Sequence, residues 1–552
     1  MEQLIECVPN FSEGNDSALI KSITDEIEKI DGVKLLDVDP GKATNRTVVT
    51  FVGSPEAVVE AAFHAIKKAS EVIDMTKHKG EHPRMGATDV CPLIPLSGIS
   101  AEETVKYAKK LAERVGKELN IPVYLYEYAQ PNKERNNLSV IREGEYEGFS
   151  KKIKRPEWKP DYGPTEFNVR SGASVIGVRD FLVAYNVNLN TTSVRRANSI
   201  AFDIRERGRV VRDEKGNDVH VPGALKSVKA IGWYIEEYGQ AQVSINLTNI
   251  NIAPVHIAFE ECCKSADKRG MRVTGSELVG LIPLQSMLDA GKYFLKKQNR
   301  STGVSESELI HIAVKSLGLD DLTEFHPDKK IIEYRMRNAA DSALQNLTVK
   351  AFADLTASES PAPGGGSISA YMGALGAALG TMVANLSAVK KGWEPRINEF
   401  SDWAESGQVI KDKLLRAVDE DTTAFNRIMS AFGLPKNTDA EKQARKDAIV
   451  SATISAIEVP CKVMRLSHES MQLIKAMAEI GNPNSVSDAG VAALCVRSAV
   501  IGAHLNVKIN AGGLADKSSV EELLKDAIRI ENETVKLEKE ILEIVNKVIE
   551  KS

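Results

Sequence analysis

The sequence predicts two α/β sandwich subdomains followed by an all-α helical domain. The first 150 residues alternate strand and helix patterns in the order β-α-β-β-α-β, and the same order returns between residues 180 and 282. From about residue 345 onward strand patterns end and long Ala-rich helical patterns take over. Hairpin-joined strands that alternate with helices in this order are typical of a ferredoxin-like, split βαβ sandwich.

The first subdomain is predicted to span residues 1–178. Pro55 opens its second helix at the first turn, and Ser100 with Glu103 forms a capping box for the third helix. The predicted strands are Leu4–Val8, Val33–Val38, Thr47–Val52, Thr88–Leu96 and Pro122–Tyr128, and the helices are Ser17–Ile30, Glu56–Ile73 and Ser100–Leu119. The segment Lys151–Pro164 is polar and carries three prolines, which favours a linker or an active-site loop.

The second subdomain is predicted to span residues 179–330, with a linker at 331–345 and the helical domain at 346–552. Its predicted strands are Asp180–Asn190, Ala230–Ile235, Ala241–Leu247 and Gly275–Ile282, and its helices are Ser193–Arg205, Ala253–Ser265, Leu284–Ala290 and Ser305–Leu317. The helical domain ends in a charged amphipathic helix, Ser518–Glu550. Because the repetition lies in element order and not in residues, it predicts related subdomains without a sequence repeat.

Composition narrows the class of protein. A net charge of −5 argues against a general nucleic-acid binder. Six cysteines without a C-x-x-C pair, and an N-terminus without a signal peptide pattern, favour a reducing, cytoplasmic location. Nine histidines without metal-ligand spacing predict no metal site. The uncharged stretch Ser369–Val389 consists mostly of small residues that gain little from lipid, so it predicts a tightly packed helix and no membrane span.

His82 lies in a polar segment just before the apolar strand that starts near Thr88. Histidine exchanges protons near neutral pH, and loops next to buried strands often hold catalytic residues. His82 is therefore a candidate general acid and base. The alternative is a loop histidine that hydrogen-bonds its own backbone.

Three polar residues follow the ends of predicted strands. Asn10 lies in the turn after the first strand, where it lines a site or belongs to an ordinary turn with a helix cap. Asp39 is placed to orient a histidine, and Arg46 to bind a carboxylate through two parallel hydrogen bonds. The alternative for these two is a hairpin loop with solvated charges.

A glycine-bounded loop between residues 163 and 172 precedes a strand. It offers backbone donors, the aromatic ring of Phe167 and the cationic side chain of Arg170. This combination suits a ligand with an aromatic ring and carboxylates, and the alternative is a plain connection. The candidate binding residues in this loop are Gly163, Pro164, Phe167, Arg170 and Gly172.

The helical domain carries three polar interruptions. A run of Gly364, Gly365, Gly366 and Ser367 opens its first long helix, where backbone amides favour anions and a capping linker is the alternative. Asp419 and Asp421 lie about 200° apart around a helix, so one can face inward and the other outward, unless the acids form a solvated face. Asn506 and Asn510 share a helix face and need partners, one of which can be a ligand.

Together these motifs resemble the formimidoyltransferase-cyclodeaminase family of two-activity folate enzymes over nearly the whole chain. The N-terminal half is similar to glutamate formimidoyltransferase through Val8–Gly14, Asn45–Thr47, His82–Gly86 and Gly163–Gly172. The C-terminal part is similar to formimidoyltetrahydrofolate cyclodeaminase through Pro363–Ser367, Val418–Phe425 and Asn506–Asn510.

The resemblance implies transfer of a formimino group from N-formimino-L-glutamate to tetrahydrofolate, then cyclisation to 5,10-methenyltetrahydrofolate with release of ammonia. It places the catalytic histidine of the transfer at His82, the folate loop at residues 163–172 and the acid of the cyclodeaminase at Asp421. Asp39 is then a partner that orients His82. The loop between Asp39 and Arg46 is lengthened at Lys42-Ala43, a departure from the family that bears on Asp39.

The resemblance also implies a role in histidine degradation and one-carbon metabolism, a polyglutamylated folate co-substrate, no metal, and a homo-oligomer built from dimers. Two alternatives remain at the level of the sequence. One is a related formyl transfer or cyclohydrolase activity. The other is a helical domain that serves only oligomerisation, for which residues 345–552 would not bind folate.

Overall fold

The computed structural model describes residues 3–42, 45–80, 83–336 and 343–551. It divides into two compact units. The first consists of Met1–Ser286 with Leu317–Met336, and the second of Met287–Ser316 with Arg337–Ser552. The first unit is mixed α/β and the second is helical, as the sequence predicts. The predicted subdomain boundaries stay predictions, whereas the structure packs residues 287–316 within the helical unit.

The first sheet occupies the N-terminal part of the first unit. Its strands follow the order β3-β4-β1/β2-β5-β7-β6, where β1 and β2 lie in one line between β4 and β5. Among the described strands of this sheet, only β7 pairs in parallel, with β5 and with β6. The elements are β1 (Leu4–Cys7), β2 (Asn10–Phe11), α1 (Ser17–Glu28), β3 (Val33–Gly41), β4 (Arg46–Gly53), α2 (Pro55–Val72), β5 (Thr88–Ser97), α3 (Ala101–Glu118), β6 (Val123–Glu127), α4 (Leu138–Ile141), α5 (Glu145–Lys152) and β7 (Ser174–Val178).

The second sheet of this unit has four antiparallel strands in the order β11-β12-β8-β13. A separate hairpin of β9 and β10 has exposed valines on both strands, and the sequence analysis did not predict it. The elements are β8 (Val183–Leu189), α6 (Val194–Ile204), β9 (Arg209–Arg212), β10 (Asp218–Val221), β11 (Val228–Ile235), β12 (Gln240–Leu247), α7 (Val255–Asp267) and β13 (Val273–Val279).

The second unit is built from long helices that approach closely through small residues. On α13, Gly376 packs against α16, and Gly380 packs against Leu473 and Ile474 of α15. The remaining helices of the chain are α8 (Leu284–Lys297), α9 (Glu306–Leu317), α10 (Pro327–Lys330), α11 (Ile332–Met336), α12 (Val349–Thr356), α13 (Gly365–Ala388), α14 (Ile397–Phe432), α15 (Asp439–Ile480), α16 (Val486–Gly512) and α17 (Glu521–Ile549). Of these, α10 and α11 belong to the first unit.

Two helical stretches among the described residues are long and apolar enough to cross a membrane, Gly365–Ala388 and Pro483–Gly512. Buried residues make up 61% of the most apolar window of the first and 50% of that of the second. Core helices of a water-soluble domain pass the same test of length and composition, so the test is weak support for a span.

Candidate active sites

A cleft of about 730 Å³ lies between the two sheets of the first unit. The floor of the cleft is one face of the first sheet. Successive side chains on a strand point to opposite faces, so every second residue of a strand faces the cleft. Ile5 and Cys7 point into the core beneath the helices, whereas Glu6 points into the cleft. The strand register continues this face across β4 and β3, since Asn10 and Asp39 both pair with Val48.

Three residues predicted from the sequence line this cleft, namely Asn10, Asp39 and Arg46. Asn10 is 8% exposed, and its amide donates to the Val8 carbonyl oxygen at 3.0 Å. Burial lowers the pKa of Arg46, and the nearby cation of Arg142 lowers it further. The structure therefore brings Asn10 to the same cleft as Asp39 and Arg46, which come from a later part of the sequence, and the roles of all three stay predictions.

The sequence analysis did not single out several charged residues that line the same cleft. They come from distant parts of the first unit and comprise Glu6, Arg142, Arg179 and Lys229. Arg142 is held by Asp89, a fully buried carboxylate that pairs with its guanidinium group and also accepts the Met85 amide at 3.0 Å. The sequence signal for this pair was Asp89, an acid that directly follows the His82 segment. A buried acid needs a cationic partner, so Asp89 indicates that a cation lies nearby.

Asp89→Asn is expected to lower the free energy of unfolding by about 3 kcal/mol, because it leaves the Arg142 cation without its buried partner. Urea unfolding of the full chain measures this change. Asp25→Asn is the matched control, since Asp25 is 42% exposed in its pair with Lys21 and should contribute less than about 1 kcal/mol. Equal effects of the two variants would contradict the structural role of Asp89.

His82 lies outside the described residues, but the residues on both sides of it are fixed. The Asn45 amide donates to the Lys79 carbonyl oxygen at 2.8 Å, which ties the preceding residues to the turn that carries Arg46. After His82, Arg84 pairs with Glu147 at 2.7 Å, and the Ser12 hydroxyl donates to the Gly86 carbonyl oxygen at 2.8 Å. Lys79 therefore lies beside the turn that precedes Arg46.

The loop of residues 163–172 lies beside this segment and does not line the cleft. Gly172 has φ +66°, and a side chain there would overlap the Met85 backbone, which explains the need for glycine. The Phe167 ring packs 5.4 Å from the Tyr146 ring, and the Arg170 guanidinium donates to the Glu71 carbonyl oxygen at 2.6 Å. Gly163 is exposed and Pro164 half-buried. Their predicted contacts with a ligand stay predictions.

A second candidate site lies where α13, α14 and α16 meet in the helical unit. The Ser367 hydroxyl lies 2.9 Å from the Asp421 carboxylate and 3.0 Å from the Val418 carbonyl oxygen. Gly364 caps α13, and a side chain on Gly366 would overlap the Asp421 carboxylate. Burial raises the pKa of Asp421, and the Ser367 hydrogen bonds offset part of that rise. A half-buried acid at a glycine-rich helix start can hold a proton near a ligand.

The two aspartates of this segment have different partners. Asp419 is buried and accepts the backbone N–H of Leu344 at 2.8 Å, so it anchors the chain that enters the helical unit. Asp421 faces the glycine run. Asn506 lies within 3.4 Å of the position a Gly365 side chain would take, whereas the Asn510 amide donates to the Ala456 carbonyl oxygen at 2.7 Å. Asn506 therefore belongs to the Asp421 cluster, and Asn510 supports α15.

Among the described residues, no group of three or more His, Cys, Asp and Glu side chains is arranged to hold a metal ion.

Family models match three consecutive parts of the chain. Residues 4–179 match the N-terminal subdomain of the formiminotransferase domain, and residues 184–337 match the formiminotransferase domain. Residues 348–529 match the model described as formiminotransferase-cyclodeaminase.

Curated relatives cover the whole chain and each part of it. The formimidoyltransferase-cyclodeaminase of Dictyostelium discoideum is 41% identical over 99% of both chains. The glutamate formimidoyltransferase of Streptococcus pyogenes is 41% identical over 54% of this chain and 95% of its own. The methenyltetrahydrofolate cyclohydrolase of Methylorubrum extorquens is 40% identical over 36% of this chain and 96% of its own.

Proposed function

The chain belongs to the formimidoyltransferase-cyclodeaminase family and is a bifunctional folate enzyme, a transferase and a lyase, and from this premise we propose how its residues divide two consecutive reactions. The first unit transfers the formimino group of N-formimino-L-glutamate to tetrahydrofolate. The second unit cyclises 5-formiminotetrahydrofolate to 5,10-methenyltetrahydrofolate and releases ammonia. The observation that carries this division is that each unit gathers its own candidate residues, Asn10, Asp39 and Arg46 in one and Ser367 with Asp421 in the other.

In the transfer step, the N5 amine of tetrahydrofolate attacks the formimino carbon. N5 loses a proton, the bond from that carbon to the glutamate nitrogen breaks, and the glutamate nitrogen gains a proton. We assign both proton transfers to His82, since imidazole accepts and donates protons near neutral pH. Asp39 orients His82, and Arg46 binds a substrate carboxylate at the cleft wall. Folate is proposed to lie against residues 163–172.

In the cyclisation step, N10 of the folate attacks the formimino carbon and loses its proton, and the bond from that carbon to the terminal nitrogen breaks. The terminal nitrogen gains two protons, one balanced by the proton lost from N10 and one supplied by an acid, and leaves as ammonia. The leaving nitrogen must be protonated, and Asp421 is the proposed donor. Burial raises the pKa of its carboxyl group, which makes Asp421 easier to protonate than an exposed aspartate. The backbone amides at the start of α13 are proposed to hold the folate, together with Asn506 and Asn510.

Several further properties are proposals. The co-substrate is tetrahydrofolate, in its polyglutamylated form, in a cytoplasmic pathway of histidine degradation. None of the six cysteines is in a disulfide, which supports a reducing location. A homo-oligomer built from dimers is supported by apolar side chains on the surface of the helical unit, which include Leu375, Met382 and Leu386 of α13.

The ferredoxin-like form of both subdomains is also a proposal. We count the four strands of each β-α-β-β-α-β run along the chain. Across the sheet, the fourth strand then lies beside the first, the first beside the third, and the third beside the second. The first run is β1, β3, β4 and β5, and the second is β8, β11, β12 and β13. The shared order supports a split βαβ arrangement in both sheets, with β6 and β7 added to the first.

Ammonia release tests both reactions at once. The purified full chain receives tetrahydrofolate and N-formimino-L-glutamate together, and each substrate is omitted in turn. We expect ammonia only when both are present. Accumulated 5-formiminotetrahydrofolate without ammonia would overturn the cyclodeaminase assignment, and the absence of any formimino transfer would overturn the transferase assignment.

The cyclohydrolase relative supports a second candidate for the helical unit. A cyclohydrolase would add water to 5,10-methenyltetrahydrofolate, whereas a cyclodeaminase forms this product and releases it. Absorbance of supplied 5,10-methenyltetrahydrofolate decides between them. We expect its decay with enzyme to equal its decay in buffer, and a faster enzymatic decay would favour the second candidate.

Gly366→Ala is expected to slow ammonia release from supplied 5-formiminotetrahydrofolate at least tenfold while formimino transfer persists. Its methyl group would overlap the Asp421 carboxylate, so the carboxylate or the helix must move. Gly512→Ala is the control, because a methyl group there meets no atom within 4 Å. Wild-type ammonia release by the Gly366 variant would contradict the proposed approach of α13 to Asp421.

A further inference from the structure

A buried carboxylate on the floor of the cleft has no role in the reaction as described so far. Glu6 lies in the middle of β1, between Val52 of β4 and Ile94 of β5 in the strand register. Only 5% of the residue is exposed, although its side chain borders the cleft. Strand alternation fixes this direction, because its neighbours Ile5 and Cys7 belong to the core on the opposite face.

The Glu6 carboxylate has no hydrogen-bond donor and no cation within 4 Å among residues 3–42, 45–80, 83–336 and 343–551. Two charged groups act on it from a longer distance, the Arg179 cation at the end of β7 and the Glu333 anion on α11. Burial raises the pKa of Glu6 to about 7, Arg179 opposes this rise, and Glu333 adds to it. An unpaired buried acid is costly for the fold, so its presence on a cleft floor points to a ligand.

We propose that Glu6 binds a planar pair of N–H donors on a substrate, in the way a carboxylate binds an amidine or a guanidine. This inference rests on the proposed transfer reaction and adds a residue that determines substrate specificity. Two parallel N–H···O bonds to one carboxylate are strong and directional. Apolar residues of the same cleft lining, Val8, Pro92 and Phe181, lower the local polarity, and lower polarity strengthens such bonds.

Two parts of the substrates carry this chemistry. The formimino group of N-formimino-L-glutamate is an amidine, a strong base that is cationic near neutral pH. The pterin of tetrahydrofolate offers its N3–H and its 2-amino group side by side. Either pair supplies the donors that Glu6 lacks, and a cationic amidine also offsets the cost of ionising a buried acid. A neutral formyl group offers no such pair, so Glu6 favours formimino over formyl donors in the first case.

The test compares wild type with Glu6→Gln in steady-state kinetics of formimino transfer. If the amidine is the partner, KM for N-formimino-L-glutamate rises at least tenfold, and the inhibition constant of N-formyl-L-glutamate, whose formyl group is neutral, stays within twofold. If the pterin is the partner, KM for tetrahydrofolate rises at least tenfold, and so does the Kd of 5-formyltetrahydrofolate measured by calorimetry without donor. Either result supports the proposal.

Both KM values within twofold of wild type, or a loss confined to kcat, would overturn the proposal. Glu6→Asp keeps the carboxylate and should recover part of the lost affinity. Glu113→Gln is the matched control, because it removes the same charge from an exposed position on α3 that does not line the cleft. Its two KM values should stay within twofold. An inactive wild type would instead overturn the proposed transfer reaction.

Thermal unfolding at pH 8 separates binding from a structural role. Because the pKa of the folded-state carboxyl is raised to about 7, the wild type loses stability as pH rises from the ordinary glutamate range through 7. Glu6→Gln lacks this loss, so its midpoint at pH 8 should equal or exceed that of wild type. A midpoint clearly below wild type would show that the carboxylate stabilises the fold, and it would overturn the proposal.

Discussion

Asp421→Asn is expected to slow ammonia release from supplied 5-formiminotetrahydrofolate by about 100-fold or more, while formimino transfer continues at the wild-type rate. The expected size is that of a missing general acid. Asparagine preserves the shape of the side chain and can still accept a hydrogen bond from Ser367, but it cannot donate a proton to the leaving nitrogen. Single-turnover release of ammonia measures the effect without contribution from the first unit.

Glu420→Gln is the matched control for this variant. Glu420 is the adjacent residue on α14, 40% exposed, and it pairs with Lys462 at 2.7 Å. Its replacement removes the same charge from the same turn, so ammonia release should stay within twofold of wild type. A normal rate in Asp421→Asn, or an equal loss in both variants, would contradict the role of Asp421 as the proton donor.

His82→Ala is expected to reduce formimino transfer by 100-fold or more, in the range that general acid–base catalysis contributes, and to spare cyclisation of supplied 5-formiminotetrahydrofolate. The residues that anchor its segment, Arg84 and Ser12, are unchanged in this variant. A loss of transfer in a folded chain would therefore reflect the missing imidazole. Rapid-quench measurement of 5-formiminotetrahydrofolate formation reports the rate of the transfer step directly.

His64→Ala is the control for histidine loss in the same unit. His64 lies on α2, half-exposed, with its ring nitrogen 3.0 Å from Glu60. Transfer by this variant should match wild type. Equal loss of transfer and cyclisation in folded His82→Ala would overturn the division of the two activities between the units, and full transfer would exclude His82 as the proton carrier.

Local sequence periodicity was sufficient for most of the individual helices and strands. The capping box predicted at Ser100 is present, with the hydroxyl accepting the Glu103 amide and the Glu103 carboxylate accepting in return. The predicted strand Ala241–Leu247 is part of β12. These features depend on neighbours within four residues, so composition and spacing determine them.

Other elements depended on distant partners. β7 directly follows the glycine-bounded loop, and its pairing with β5 and β6 comes from elsewhere in the chain. The short helices α4 and α5 carry weak periodic patterns, yet α4 leads into Arg142 at the cleft wall. No local pattern predicts which strand edge accepts a new strand, because long-range pairing decides it.

The sequence by itself determined the alternation of elements, the change to an all-helical unit, and, through resemblance, the candidate groups of both reactions. Only the tertiary structure decided which groups meet. It placed Asp421 against Ser367, 54 residues away in the chain, and gave Asp419 to the chain entering the helical unit. It also turned Glu6 toward the cleft, where none of the described residues pairs with its carboxylate. The physical reason is that spacing fixes the direction of a side chain within its own helix or strand, whereas packing between elements decides what that side chain faces.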